Sequence, residues 1–434
     1  MNIKLENVFG VSSKAVLSYV ERDEVDNRFT EALNSDKQII VYGSSKQGKT
    51  ALVSKYVKYD ENVSINLTPK TKIVDIYSSV LRQANINIKS SYTESTEREI
   101  TLEIVSRFKA MLPILGSAEV EGQSDLKSTS SRDCDYEEVP FNLSLAQDIS
   151  EILKKVRFKK FIILENFHYL DDELQKEFAY DLRSFQELGI RFIILGVWRE
   201  KNKMVQFNGD LLDRIVEIPV EPWSKENFIR VAEKGAEKLS IIFPQDLLDK
   251  CHQVSFSSIG VLQEILKEIC ISAKVLEKQK PRISICLYPH LENAVNKKAE
   301  DYSVRHQRAL EAIASGNSSA TSQGDLLPLF LPYYLIKVIL ESGYEGLANG
   351  MKRSILQSKI QDMHHRPEDV RASDMSNLLY SLAKLQSNKS ISPPIIDYDR
   401  NTKSLQIVDS TFYFFLKNAD LSEILKELPS PLDK

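Results

Sequence analysis

The stretch 38–52, Q-I-I-V-Y-G-S-S-K-Q-G-K-T-A-L, constrains this chain more than any other, because an apolar strand there breaks at a glycine and restarts at once as a helix. Gly43, Ser44, Ser45, Lys46, Gln47, Gly48, Lys49 and Thr50 match G-x-x-x-x-G-K-[ST] at every fixed position, between the strand and the helix that give this pattern its meaning. Each residue type has its own reason. Gly43 and Gly48 let the backbone turn without a Cβ in the way, so that successive N–H groups point at anionic oxygens. The helix that follows adds its unpaired N-terminal donors. Lys49 is expected to reach the β- and γ-phosphate oxygens and the Thr50 hydroxyl to ligate Mg2+, while Ser44, Ser45, Lys46, Gln47 and Ala51 contribute amides. A glycine-rich turn arising by chance is the bland alternative. With only 15 glycines in 434 residues it is a poor one. The stretch therefore predicts a Walker A loop binding ATP with Mg2+.

Around the loop the periodicity alternates between strand and helix. Val25, Phe29 and Leu33 mark a short helix before the first strand; Val63, Ile65 and Leu67 alternate as a second strand; Ile73, Ile76, Tyr77, Val80 and Leu81 share one helical face. The apolar runs 159–164 and 190–197 read as doubly covered strands, separated by a helix bearing Leu174, Phe178, Leu182, Phe185 and Leu188. Residues 209–220 supply a fifth strand. The expected class is α/β, a parallel sheet covered by helices, occupying 1–222. Within it, 86–144 reads as an insertion whose segment 116–138 is rich in Ser, Gly, Asp and Glu. It is too poor in apolar residues for a core of its own, and reads as a projecting hairpin or partly disordered loop.

From Trp223 the pattern turns helical: 223–277 has the size of a helical lid, 278–285 reads as a linker, 286–314 as a charged connecting helix, and 315–324 as a second linker. In 325–434, helices are expected at 327–340, 351–363 and 373–385, the last capped by Ser373 and Asp374. Strands at 394–398 and 404–409 follow across a turn. Three helices and a hairpin predict a winged helix.

Composition narrows the function classes. The chain is longer than one core usually fills, and 42% apolar with 27% charged residues is ordinary for a globular protein. A net charge of −4 argues against coating nucleic acid by bulk electrostatics. The expected third helix of the last domain carries Lys384 as its one cation, although Lys352, Arg353, Lys359, Arg366 and Arg371 gather nearby. Protein packing is favoured there over DNA contact. Four cysteines show no metal-ligand spacing, and neither a leader nor an apolar run of spanning length is found, so a cytoplasmic protein that does not enter membranes is expected.

With these residues in hand, the chain resembles the AAA+/STAND group of P-loop ATPases, in the branch that includes origin-recognition and archaeal-type ATPases. An extra strand lies between the loop and the strand ending in L-E-N-F-H, where relatives in this group read E-D-F-H or D-D-F-H. The resemblance implies that Glu165 holds Mg2+ through water together with Thr50. Asn166 takes the place of the acid that polarises the attacking water, so hydrolysis is expected to be slow or absent. It further implies a phosphate-sensing role for Arg199 and an arginine finger acting across a homo-oligomer for Arg214, unless both are ordinary surface ion pairs. Glu21 and Arg22 resemble the segment beside the adenine, Gly260 lies where a lid sensor would be but offers no arginine, and His168 reads as a packing residue. The expected function is a nucleotide-dependent conformational switch that recruits a partner protein through the winged helix or the insertion, in a setting such as bacterial defence or signalling. The alternatives are a DNA-associated oligomeric loader or remodeller, and a scaffold that keeps nucleotide as a structural cofactor.

Overall fold

Strand β1 (Gln38–Tyr42) is buried on both faces, and its alternation sorts the core. Ile39 and Val41 join Phe29, Leu52 and Val53 on one face; Ile40 and Tyr42 join Ile162, Leu164, Phe178 and Phe192 on the other. The computed structural model of the chain describes residues 3–12, 15–90, 107–113, 136–286, 288–316 and 327–433. β2 (Val63–Asn66), β6 (Ile162–Glu165), β7 (Phe192–Gly196) and β8 (Ile215–Pro219) complete a parallel five-stranded sheet in the order β2-β6-β7-β1-β8. α1 (Asp23–Leu33) and α2 (Lys49–Tyr56) pack on the first face; α3 (Ile73–Gln83), α4 (Ala146–Lys155) and α5 (Asp172–Glu187) pack on the second. This is the α/β P-loop NTPase fold expected from the sequence. Because the strands are parallel, the residues that follow β1, β6, β7 and β8 all emerge at one edge, where a ligand crevice forms in such sheets.

Between α3 and α4, β3 (Asn87–Ser90), β4 (Arg107–Pro113) and β5 (Tyr136–Asn142) form an antiparallel sheet, docked on the main core through Ala110 and Phe141. The polar segment 116–138 lies almost wholly outside the described residues, as does most of 315–324. A short α6 (Lys203–Phe207) precedes β8.

α7 (Lys225–Leu239), α8 (Gln245–Val254) and α9 (Ile259–Ser272) bury a separate cluster that includes Leu5, Val8 and Phe9. Leu5, Val8 and Phe9 thus pack with these helices, Phe9 filling the space beside Gly235. The expected linker 278–285 is pinned: β10 (Ile283–Ser284) pairs in parallel with β9 (Ile241–Ile242). The connecting helix α10 spans Tyr288–Ala314 as expected.

The C-terminal portion holds α11 (Leu331–Leu347), broken at Gly343, then β11 (Met351–Lys352) and α12 (Arg353–Met363). The helix expected over 373–385 divides at Ser381 into α13 (Ala372–Tyr380) and α14 (Leu382–Asn388). Of the two expected cap residues, Asp374 accepts the amide of the N-cap Arg371 at 3.3 Å, while Ser373 lies inside the helix. β12 (Ile396–Asp399) and β13 (Ser404–Ile407) join β11 in an antiparallel sheet, followed by α15 (Ser410–Asn418) and α16 (Leu421–Glu427).

Candidate nucleotide-binding site

The loop after β1 has the backbone its glycines were expected to allow. Gly43 sits at φ 149°, where a Cβ would fall 2.8 Å from Val220, and Gly48 at φ 89° is the left-handed N-cap of α2. No amide from Lys46 to Ala51 has a partner among the described residues, so six consecutive donors are available to phosphate oxygens. Lys49 Nζ donates to the carbonyls of Gly43, 3.0 Å, and Ser44, 2.7 Å. Burial draws its pKa down to about 8, against the opposing pull of Glu221, Glu165 and Asp409.

Facing the loop, the Thr50 hydroxyl donates to Glu165 Oε2 at 3.3 Å and the Tyr59 hydroxyl donates to Glu165 Oε1. Burial raises the Glu165 pKa, while Tyr59, Thr50 and Lys49 hold it down in part. One hydroxyl and one carboxylate beside a phosphate cradle suit Mg2+, which keeps several waters and takes its remaining oxygens from phosphates. Among the described residues no group of three or more His, Cys, Asp or Glu is arranged to hold a metal alone. Asn166 adopts the left-handed conformation at φ 62°, and its amide donates to Asn66 at 2.6 Å.

A cavity of about 300 Å³ opens from the loop. Its polar lining is the loop itself with Glu165, Asn166 and His168; its apolar lining includes Val11, Tyr19, Val20, Trp223, Val231 and Ile259. That apolar slot is suited to a planar base. Glu21 and Arg22, expected beside the adenine, are not among the residues that line this cavity, whereas their neighbours Tyr19 and Val20 are. Arg22 is the N-cap residue of α1, and Glu21 pairs with Lys55 at 3.1 Å on the surface. The Arg22 guanidinium lies 3.7 Å from the Trp223 ring centroid and donates to Val220 O at 2.7 Å, so it supports the wall from behind. Tyr19 and Val20 occupy the wall instead.

The helices after β8 close on the loop. Trp223 Nε1 donates to Gln47 O at 3.4 Å, and the Ile259 amide donates to Gln47 Oε1 at 3.4 Å. Gly260 packs so tightly that a Cβ would lie 2.6 Å from the Lys46 carbonyl. Its role is therefore close approach.

Arg199 reaches the site through an intermediary that the sequence did not reveal. Ser44 N–H donates to Glu221 Oε1; Arg199 Nη2 donates to Glu221 Oε2 at 3.3 Å; Arg199 Nη1 donates to the Tyr413 hydroxyl at 3.1 Å. Arg214 stands at the opposite end of the sheet, where its carbonyl accepts from Gln38, the first residue of β1, at 3.0 Å. Its guanidinium is held by Gln186 at 2.7 Å and Glu187 at 3.0 Å, so it is not brought to this chain's own cavity.

The segment 408–411 also lies on the loop. Ser45 N–H donates to Val408 O at 2.8 Å, Ser45 Oγ donates to Asp409 Oδ1 at 2.8 Å, and Ser410 Oγ donates back to Ser45 O at 3.0 Å. Asp409 is fully buried and accepts from Arg305 of α10 at 2.5 Å. The Lys46 ammonium lies 5.1 Å from the centroid of the Tyr302 ring, also on α10. Nothing in the composition of 404–413 marks it as a partner of a loop more than 360 residues away.

No family model and no curated protein matches the chain. Solved structures that align over most of it include the Walker-type ATPase PABY2304 of Pyrococcus abyssi, at 13% identity over 92% of this chain and 96% of that one, with a TM-score of 0.44. Two others are Cdc6p from Pyrobaculum aerophilum (12% identity, 97% and 100% covered, TM-score 0.40) and the Aeropyrum pernix Orc1 protein in complex with DNA (12%, 94% and 93%, TM-score 0.40). Likeness this slight assigns no role to any residue here; the fold rests on the chain's own strand order and loop.

Proposed function

We propose that the protein binds ATP with Mg2+ in the cavity beside the loop and uses the nucleotide to set the position of its C-terminal portion, a conformational switch read by a partner protein. The observation that supports this most directly is the docking of 408–411 on Ser45, together with the Ser44–Glu221–Arg199–Tyr413 chain. Both routes join the phosphate loop to α15. In this reading 223–277 is the lid, 286–314 the connecting helix and 325–434 a winged helix.

The residues divide the work. The amides from Lys46 to Ala51 and the Lys49 ammonium hold phosphate oxygens, Thr50 and Glu165 orient Mg2+, and the Trp223–Tyr19 slot takes the base. Bound Mg2+ supplies neutralisation of the phosphate charge. Asn166 can position a water but has no basic group to draw its proton, so turnover is slow and the ATP-bound state persists. Persistence suits a switch, including one in defence or signalling. A ligand shifts such an equilibrium only by its differential affinity. The three hydrogen bonds between Ser45 and 408–410, at about 0.5–1.5 kcal/mol each, set a scale of a few kcal/mol that the γ-phosphate has to move.

The reading as a DNA-associated loader draws less support, because Lys352 and Arg353 bond to Thr402 O and Ser376 Oγ, and Arg366 pairs with Asp369, all on their own chain. Amide hydrogen exchange of 408–413 tests the switch, measured without nucleotide, with ADP–Mg2+ and with the β,γ-imido analogue of ATP. The exchange rate is expected to differ between the two nucleotides, and Lys49→Ala to abolish both binding and the difference. Equal exchange in all three states, with binding confirmed, would remove the switch.

A further inference from the structure

The two carboxylate oxygens of Glu165 are held from the two ends of one helix. Thr50, in the first turn of α2, donates to Oε2 at 3.3 Å, which is long for a hydroxyl; Tyr59, in the turn just past the end of α2, donates to Oε1 and is the closer of the two. That turn is fixed to the strand that carries Glu165. Phe161, immediately before β6, donates its amide to Asn62 Oδ1 at 2.9 Å and accepts the Val63 amide at 3.0 Å. Burial first, then Glu165 itself, raise the Tyr59 pKa far above the ordinary phenol value, so the phenol keeps its proton and is the donor. Burial also works against the ionised form of Glu165; of the groups that favour that form Tyr59 comes first, ahead of Thr50 and Lys49.

Packing accounts for the ring of Tyr59 but not for its hydroxyl. The ring lies partly buried against the cluster that holds Phe29, Val41, Leu52 and Ile163, a place that phenylalanine would fill. Glu165 lines the cavity and Tyr59 does not, so the hydroxyl bears on the site through that carboxylate. A glutamate side chain has several torsions, and one long bond to Thr50 would leave it free to turn its oxygens away from the loop. A fixed donor on the other oxygen removes that freedom, as outer partners of metal-holding carboxylates do.

We propose that Tyr59 is a positioning residue of the Mg2+ site: by holding Oε1 of Glu165, its hydroxyl keeps Oε2 turned to Thr50 and available to the divalent cation that arrives with a nucleotide. The inference rests on the nucleotide-binding reading above. It gives the turn 58–62, K-Y-D-E-N, a part in metal binding that its sequence does not announce. It also separates the metal from the phosphates, because losing this hydroxyl acts on nucleotide binding only where a divalent cation is present.

The test is calorimetric titration of the full chain with the β,γ-imido analogue of ATP, in EDTA and with Mg2+, together with Mn2+ titration of the protein–analogue complex followed by electron paramagnetic resonance. The wild type is compared with Tyr59→Phe, Glu165→Gln and the double variant. Tyr59→Phe removes one oxygen and keeps the ring. It is expected to weaken Mn2+ roughly tenfold, the lower end for a group that orients a metal ligand, while analogue binding in EDTA stays within about twofold of wild type. In the Glu165→Gln background the same change is expected to cost nothing further, because its route to the metal is already gone. A role in packing alone predicts neither the split nor the coupling. Unchanged Mn2+ affinity in Tyr59→Phe, an equal loss with and without metal, or an undiminished effect beside Glu165→Gln overturns the inference while leaving nucleotide binding intact. Failure of the wild type to bind the analogue with Mg2+ overturns the reading on which it rests.

Discussion

Replacing Asp409 by asparagine strikes the contact between the phosphate loop and the C-terminal segment at its centre. The carboxylate is fully buried and accepts four hydrogen bonds: Ser45 Oγ at 2.8 Å, Thr411 N at 3.0 Å, Thr411 Oγ1 at 2.9 Å and Arg305 Nη1 at 2.5 Å. In Asp409→Asn the amide oxygen can still serve Ser45 and Thr411, but the new NH2 meets the Arg305 guanidinium, donor against donor. Breaking one side of a buried ion pair costs about 3–5 kcal/mol. The Arg305 side chain is 34% exposed and can take water instead, which brings the expected cost to about 2–3 kcal/mol. A chain of several clusters need not unfold in one step, so the readout has to be local. Amide exchange over 44–45 and 408–411 is expected to quicken by roughly 30- to 150-fold, following that free energy, with the core strands unchanged. Adding Arg305→Met removes the orphaned cation and is expected to restore much of the protection, a coupling that a double-mutant cycle measures. Exchange within threefold of wild type in Asp409→Asn would refute the reasoning, because the carboxylate would then not be what holds the loop to this segment.

Three further outcomes follow from the same geometry. Lys49 has a pKa of about 8 in the free protein, and a phosphate partner favours its charged form; ATP affinity is therefore expected to be level below pH 8 and to fall by up to tenfold per unit above it, measurable by titration between pH 6.5 and 9.5. Asn166→Glu is expected to raise phosphate release by supplying a base; unchanged turnover in that variant, with turnover lost in Glu165→Gln, would show that the roles along L-E-N-F-H are displaced by one. Gly260→Ala would place a Cβ 2.4 Å from Lys46 Cβ and 2.6 Å from its carbonyl oxygen, and is expected to cost about 1–3 kcal/mol and to weaken ATP binding, whereas a gain in melting temperature would mean that α9 is free to move off the loop.

The sheet was legible because its signals are local. Apolar runs such as 190–197, the glycines around 43–48 and the helix that follows are all short-range, and Glu165 announces itself at the end of such a run. The strand order was not legible, since periodicity says nothing of neighbours; the order β2-β6-β7-β1-β8 comes from the structure. Which side chains before α1 face the cavity is set by the turn into that helix: Tyr19 and Val20 line it, and Glu21 and Arg22, expected there from the resemblance alone, do not. Glu221 reads as an ordinary acid near a strand end. Its importance comes from the Ser44 amide, 177 residues away. One histidine after a strand carries no spacing signal, and the unpaired nitrogen of His168 exists only in three dimensions. The docking of 408–411 on Ser45 is of the same kind: short polar residues at a strand-to-helix junction resemble a cap, and Asp409 is indeed the N-cap of α15, accepting from Thr411.

The amides of the loop fall into two sets, and the division decides what kind of control this site can exert. Ser44 and Ser45 donate to Glu221 and Val408; Lys46 through Ala51 donate to nothing in the described chain. Phosphate and the C-terminal segment therefore do not compete for the same donors, and the docked segment does not plug the cradle. A plug would make nucleotide and docking mutually exclusive. Under the proposed switch they coexist, and the coupling would run through the shape of the loop. Lys49 is the natural carrier, because its ammonium bonds to the carbonyls of Gly43 and Ser44, in the same peptides that bracket the Ser44 and Ser45 amides. Drawing that ammonium towards a phosphate takes it off those carbonyls and leaves the two docked amides to be held by Glu221 and Val408 alone. Linkage then runs in both directions: if ATP alters the docking equilibrium by some factor, a partner that binds the released C-terminal portion alters ATP affinity by the same factor.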